Sequence, residues 1–214
     1  LLAMHVLAQV SKRFSVQVTI EDILSHSTPR ELSEFIRSAS FACVNMPQVA
    51  PRDRFPMSAG QRRIWFLQRL SGDSLAYQIP FAARLGIPVD KDALQKALFL
   101  LESRHDALRL RVFADEPEQA LVAPGSLKLE CVDRPWSAQT FTEAMDFGPE
   151  HPLARISLFP DATSGDVLLL RFHHIIFDGW SAEIFLRELN QAYAAVLNGS
   201  SPDWQPLDLD FASY

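Results

Sequence analysis

The chain has 214 residues, 48% hydrophobic and 21% charged, with a formal net charge of −6. Those proportions belong to a globular chain that can bury a core and exclude extended disorder. The acidic balance leaves no basic footprint for nucleic acid. No apolar run reaches the roughly eighteen residues of a membrane span, and no signal-peptide layout opens the chain, so neither nucleic acid nor membrane is an expected partner. Cys43 and Cys131 are too few and too far apart for a zinc site or a disulfide framework and read as ordinary thiols of a reducing compartment.

In chain order, Leu1 to Val10 has apolar positions at helical spacing, and Thr19 to Ser38 carries a second helical pattern with Thr28-Pro29 as a start signal inside it. Phe41 to Pro56, with Pro47, Pro51 and Pro56 among polar residues, reads as a linker. A helix follows over Ala59 to Leu70, then a strand over Tyr77 to Leu85. Asp90 to Arg104 is the next helix, capped by Asp90 and apolar along Leu94, Ala97, Leu98 and Leu101. Ala107 to Phe113, Ala120 to Ala123 and Leu127 to Val132 are short strands, Ser137 to Met145 a helix, and Ala154 to Phe159 and Val167 to Phe172 further strands. Ser181 to Leu197 closes as a helix ended by Asn198-Gly199. Strands and helices interleave without repeats, so the class is α/β or α+β, a sheet covered by helices. Trp65 with Phe66, and Phe185 with Leu186, are read as core packing.

The most chemical stretch is His173-His174-Ile175-Ile176-Phe177-Asp178-Gly179, followed by Trp180-Ser181, at the end of the last strand. An imidazole there can leave the core and titrate near neutral pH. Adjacent strand residues point to opposite faces, so at most one histidine faces a given pocket. His174 is read as the chemical one and His173 as packing or support. Gly179 suits a tight turn and close backbone approach, with its N–H as an oxyanion donor. Arg104, His105 and Arg109 cluster at a helix-to-strand junction and read as a salt-bridged corner rather than a substrate contact. Trp180 borders the active loop and either lines a tunnel or plugs an interface. His5, His26 and His151 lack metal-ligand spacing, and no metal is expected.

His173 to Ser181 resembles the HHxxxDG signature of condensation domains of nonribosomal peptide synthetases, extended to HHxxxDGWS. Ser58-Ala59-Gly60-Gln61-Arg62-Arg63-Ile64-Trp65 resembles the family's SxAQxRLW motif, Tyr77-Gln78-Ile79-Pro80 its YNIP stretch, and Arg104-His105-Asp106-Ala107-Leu108-Arg109 its RHExLR motif. The departures, Gly60, Ile64, Gln78, Asp106 and Leu110, remove no charge. The resemblance implies a chloramphenicol acetyltransferase-like fold, an α/β (α+β) sandwich. Its active loop would be His173, His174, Asp178 and Gly179, supported by Arg63, Trp180, Ser181, Arg104, His105 and Arg109. The family pattern makes Arg63 the ion-pair partner of Asp178; a buried pair of that kind would cost on the order of 3–5 kcal/mol to break from one side.

Leu1-Leu2-Ala3-Met4 resembles the helix that follows the phosphopantetheine-bearing serine of peptidyl carrier domains. The expected layout is a partial carrier over 1–40 lacking that serine, a linker over 41–56, and the N-terminal lobe of a condensation domain over 57–214. Its second lobe is expected to be missing, leaving the piece inactive by itself. For the parent protein, taken as cytoplasmic, the resemblance implies an amide-forming acyltransferase. It would join a carrier-tethered aminoacyl or peptidyl thioester to the amine of a carrier-tethered amino acid, beside an adenylation domain. The 4'-phosphopantetheine sits on the carriers and no cofactor on the lobe. His174 would take a proton from the amine or hold it by a hydrogen bond. Two other readings stand beside this one. Residues 1–40 and Arg104–Arg109 weigh against a CoA-dependent acyltransferase of the HHxxxDG superfamily. Gly60-Gln61 and Tyr77–Pro80 weigh against an epimerisation relative.

Overall fold

The computed structural model describes residues 6–7, 9–10, 13–14, 16, 18–38, 54–72, 74–86, 88–137, 139, 144–145, 148–161, 165–207 and 211. They fall into two compact units, Leu1–Pro47 and Gln48–Tyr214.

In the first unit the described residues between 6 and 14 are helical, followed by α1 (Ile20–Ser25) and α2 (Pro29–Ser38). Both numbered helices start where the sequence supplies a box of reciprocal caps. Thr19 Oγ1 accepts from the Asp22 N–H at 3.1 Å while Asp22 accepts from the Thr19 N–H at 2.8 Å. Thr28 and Glu31 repeat the exchange ahead of Pro29 at the first helical position. Val6, Val10, Phe14, Ile23, Leu32 and Ile36 face a common apolar groove.

Among its described residues, the second unit carries two sheets. The smaller has the order β1-β4-β3, from β1 (Phe55–Pro56), β3 (Leu110–Val112) and β4 (Glu118–Leu121). The larger has the order β2-β7-β6-β5, from β2 (Gln78–Arg84), β5 (Leu129–Cys131), β6 (Ala154–Phe159) and β7 (Val167–His173). All pairs are antiparallel except β5 with β6. Among the described residues, three α-helices accompany them, α3 (Ala59–Ser71), α4 (Lys91–Arg104) and α5 (Gly179–Leu197).

Strand β7 explains its own unbroken apolar run. Leu168, Leu170 and Phe172 enter the main core with Leu94, Leu98 and Leu101 of α4 and Phe185 and Leu189 of α5. Val167 and Leu169 point the other way, into a second cluster with Phe159, Val132 and Trp136. A strand covered on both faces loses the polar alternation of a half-exposed one.

Several expectations change. The first three residues of the expected 107–113 strand belong to a 3₁₀ turn, Asp106–Arg109, held by the Asp106–Arg109 ion pair, so β3 begins at Leu110. Leu75–Tyr77 is likewise a 3₁₀ turn, capped by Ser74, and the strand starts at Gln78. Phe55-Pro56, read as linker, is strand β1, paired with Gln119 and Glu118. Proline is tolerated there because β1 is an edge. The rest of the linker up to Asp53 lies outside the described residues, as does most of the helix expected over 137–145, whose last residues Ala144 and Met145 are not helical. Phe66 and Leu186 are 56% and 48% exposed. Neighbours on a helix diverge by about 100°, so only Trp65 and Phe185 of the two pairs turn inward.

Candidate active site

β7 ends at His173, and the next four residues are shaped by their three apolar members. Ile175, Ile176 and Phe177 are buried. The Phe177 ring stacks on Phe172 at 3.8 Å between centroids and meets Phe185 edge-on at 6.1 Å. With the middle of the loop sunk into the core, its flanking polar residues His174 and Asp178 are left exposed. Both line a cavity of about 670 Å³ whose other walls include Phe55, Met57, Gln61 and Ile64.

The two histidines separate as the pleat requires. His173 is 2% exposed, and burial first, with the neighbouring His174 second, lowers its pKa from 6.5 to about 4. Its Nδ1 accepts from the Ile175 N–H at 3.1 Å, which places the proton of the neutral ring on Nε2. His173 is thus a fixed, neutral acceptor inside the loop. His174 donates its backbone N–H to Tyr77 O at 2.7 Å and turns its ring to the cavity.

Asp178 is the N-cap of α5. Its Oδ1 accepts from the Ser181 N–H at 2.9 Å and from Ser181 Oγ at 2.8 Å. Burial alone would raise its pKa. The bonds from Ser181 and from the Trp180 amide, with His174 nearby, outweigh burial and hold the carboxyl below the usual carboxylate range. Arg63 is exposed and forms no ion pair with Asp178, so that expected pairing is corrected. Ser181 supplies the donors that Arg63 was expected to give, and a helix start needs only a side-chain acceptor, not a cation.

Gly179 opens α5 and does not have the positive φ seen at Gly72, Gly125, Gly165 and Gly199, so the expected tight-turn role is corrected. A side chain there would meet nothing within 4 Å, leaving open space beside an N–H of the first helical turn. Trp180 is half-buried beside it.

Arg104, His105 and Arg109 lie away from the main cavity. Glu188 of α5 accepts from Arg104 Nε at 3.1 Å and shares the same oxygen with His105 Nε2 at 2.6 Å. Arg104 also donates to Gln205 O at 2.8 Å. Arg109 binds Asp106 and donates to Val122 O at 2.7 Å. These contacts lock α4 to α5 and to the chain that follows it. His105 also borders a small void behind Ile176 and Phe177.

The sequence reading passed over two features. Glu102 is fully buried and gathers the N–H groups of Gly125, Ser126 and Leu127 with the Ser126 hydroxyl. Gln61 and Gln119 form a buried reciprocal amide pair, at 2.9 and 3.0 Å. The Ser58-x-x-Gln61 spacing does signal a capping box, which forms, but nothing in the sequence announces Gln119. Among the described residues, no group of three or more His, Cys, Asp or Glu could hold a metal ion. No described helix is long and apolar enough to cross a membrane.

Residues 52–214 match the Condensation domain family, and residues 1–36 match the Phosphopantetheine attachment site family. The dimodular nonribosomal peptide synthase of Bacillus subtilis is 33% identical over 227 residues, covering 100% of this chain and 9% of that protein. The probable non-canonical nonribosomal peptide synthetase CymA of Salinispora arenicola is 32% identical over 223 residues, covering 100% of this chain and 3% of that protein. Both curated relatives thus extend far beyond the match. Among solved structures, the X-domain from teicoplanin biosynthesis is 28% identical with a TM-score of 0.66, over 79% of this chain and 38% of that one. The starter condensation domain of rhizomide synthetase RzmA shares the fold at 22% identity and a TM-score of 0.63, over 72% and 40%. The α/β architecture is therefore the chloramphenicol acetyltransferase-like fold of condensation domains. With its loop, corner and opening helix in the family's order, the chain belongs to the condensation-domain family of nonribosomal peptide synthetases, with carrier-domain sequence ahead of it.

Proposed function

We propose that this lobe, in its parent synthetase, serves amide-bond formation between two carrier-tethered substrates, with His174 as the working group. The observation that carries the reading is the division of labour in the loop. His173 is buried and engaged, Asp178 is spent on the helix cap, and His174 alone of the three presents its side chain to the cavity without a fixed side-chain task.

The donor and acceptor would arrive as thioester-linked groups on the phosphopantetheine arms of carrier domains, the acceptor selected by a neighbouring adenylation domain. The cavity fits such a visitor. Its wall of Phe55, Met57, Ile64 and Ile175 suits the uncharged pantetheine portion of the arm and keeps water from a thioester. His174 would accept the proton from the attacking amine, or hold that amine by a hydrogen bond, as the amine nitrogen bonds to the thioester carbonyl carbon and the thiolate leaves. Trp180 and the Gly179 N–H stand at the start of α5, where positive backbone ends suit charge developing on the carbonyl oxygen. Arg63, exposed near this end of α3, is left for contact with what approaches the cavity. The exposed, unpaired Cys131 agrees with a reducing, cytoplasmic setting.

The test is a single-turnover assay of the full-length synthetase with both carriers loaded, following dipeptidyl thioester by intact-protein mass spectrometry. Intact protein should form it and His174→Ala should slow it by roughly 100-fold or more. Undiminished product from His174→Ala would overturn the assignment. Exchange of the donor α-hydrogen with solvent, without dipeptide, would make the domain an epimerisation relative.

A further inference from the structure

The backbone of Ile175, the residue after His174, is gripped by side chains at both its N–H and its carbonyl. The Ile175 N–H donates to His173 Nδ1, and the Ile175 carbonyl accepts from Gln61 Nε2 at 3.4 Å. The first grip comes from within the loop. The second crosses from α3, 114 residues earlier in the chain.

Gln61 reaches across because its other bonds fix it. Its Oε1 accepts from the Ser58 N–H at 3.0 Å and from Gln119 Nε2 at 3.0 Å, while its Nε2 donates to Gln119 Oε1 at 2.9 Å. Gln119 Nε2 also donates to Pro56 O at 3.3 Å. Three backbone groups decide which way both amides face. The Ser58 N–H can only donate, and the Ile175 and Pro56 carbonyls can only accept, so neither amide can be turned over without placing like against like. Both side chains are buried, 7% and 2% exposed, in the cavity wall beside Phe55, Met57 and Ile64. Two apolar side chains of similar volume would fill that space without desolvating four polar atoms, so packing alone does not account for the pair.

We propose that Gln61, held in place by Gln119, is a positioning residue for His174. It acts as a strut between the N-terminus of α3 and the carbonyl of the residue that follows His174, and so sets where the ring stands over the cavity. This rests on the reading of His174 as the working group of amide formation, where a displacement of about 1 Å is enough to lower a rate by about 100-fold.

The pair allows an asymmetric test in the full-length synthetase. Gln61→Glu keeps an acceptor for Ser58 but sets an oxygen against the Ile175 carbonyl. Gln61→Met keeps the volume without introducing charge, so it reads the same loss if the Glu variant folds poorly. Gln119→Met removes the bonds from residue 119 without adding charge and leaves Gln61 its bonds to Ser58 and Ile175. For both Gln61 variants, kcat for dipeptidyl thioester formation should fall about 100-fold, with KM for the loaded acceptor carrier within about twofold. Hydrogen exchange at residues 174–178, read by mass spectrometry, should quicken about tenfold while the strands of the larger sheet keep their protection. Gln119→Met should lose at most about fivefold in kcat, since the strut is weakened but not cut. Unchanged kcat and loop exchange in Gln61→Met would overturn the proposal. So would equal loss of protection throughout the lobe in Gln61 and Gln119 variants, which would make the pair ordinary core. The exchange arm needs no turnover. If the wild type makes no dipeptide yet its loop loosens on Gln61→Met, the amide-forming reading fails and the strut stands.

Discussion

At Asp178 the distinction between a cap and an ion pair has measurable consequences. Its carboxylate accepts two bonds from Ser181, an arrangement that asparagine can largely reproduce through its side-chain oxygen. Asp178→Asn should therefore unfold in urea within about 0.5 kcal/mol of the native chain, and Asp178→Ala should lose about 1 kcal/mol. A buried pair with Arg63 would have required a loss several times larger. Arg63→Ala should leave stability within about 0.5 kcal/mol, as for other exposed side chains. A loss of about 3 kcal/mol or more on Arg63→Ala would restore the ion pair and discard the cap as the main role of Asp178. That the two adjacent histidines would part, one buried and one exposed, was legible from the pleat rule. The partner of Asp178 was not, because a side chain three residues away satisfies it and no spacing rule distinguishes that from a distant cation.

Among the elements, the turn at 125–127 shows how much one buried carboxylate can organise. Glu102, from the last turn of α4, collects three successive N–H groups and a hydroxyl, so the turn leading into β5 hangs from the helix. Glu102→Ala leaves those donors buried without an acceptor and should cost roughly 3 kcal/mol or more, read from urea unfolding of the chain. Glu102→Gln keeps one carbonyl oxygen and should fall between the two. Elements whose apolar pattern and cap agree were read nearly to the residue: α4 from Asp90 and its Leu94 to Leu101 stripe, β6 over Ala154–Phe159, and α5 up to Asn198. Those that failed are decided by contacts distant in sequence. β1 exists because β4 pairs with it, and β3 starts late because Asp106 draws Arg109 into a turn. The Gln61–Gln119 pair was invisible for the same reason, since two glutamines 58 residues apart carry no pattern.

Across the whole molecule, acid acts through His173. Above pH 6.5 the ring is neutral in both folded and unfolded chains and costs nothing. As pH falls from 6.5 towards about 4, the unfolded chain takes up a proton that the folded one refuses, so stability declines; below about 4 both are protonated and the loss levels off. The full loss is about 3 kcal/mol. The lowered carboxyl of Asp178 acts in the same direction at more acid pH, its contribution disappearing as that group is protonated in the folded state. Tm measured between pH 7 and pH 4.5 should fall, and His173→Gln, whose side-chain oxygen can still accept from Ile175, should flatten the slope. An unchanged slope would place the titrating group elsewhere.

The pairing of Gln78 with His173, the bond from Gln61 to Ile175 and the bridge from Arg104 to Glu188 each join the early part of the lobe to its late part. None can form on a ribosome until the last helix has been made. During synthesis, β2 waits as an unpaired edge, and α3 and α4 expose their apolar faces until β7 arrives. The loop that holds His174 is therefore among the last pieces to take shape. A nascent chain halted before residue 173 should remain protease-sensitive, and protection should appear abruptly once α5 has cleared the exit tunnel.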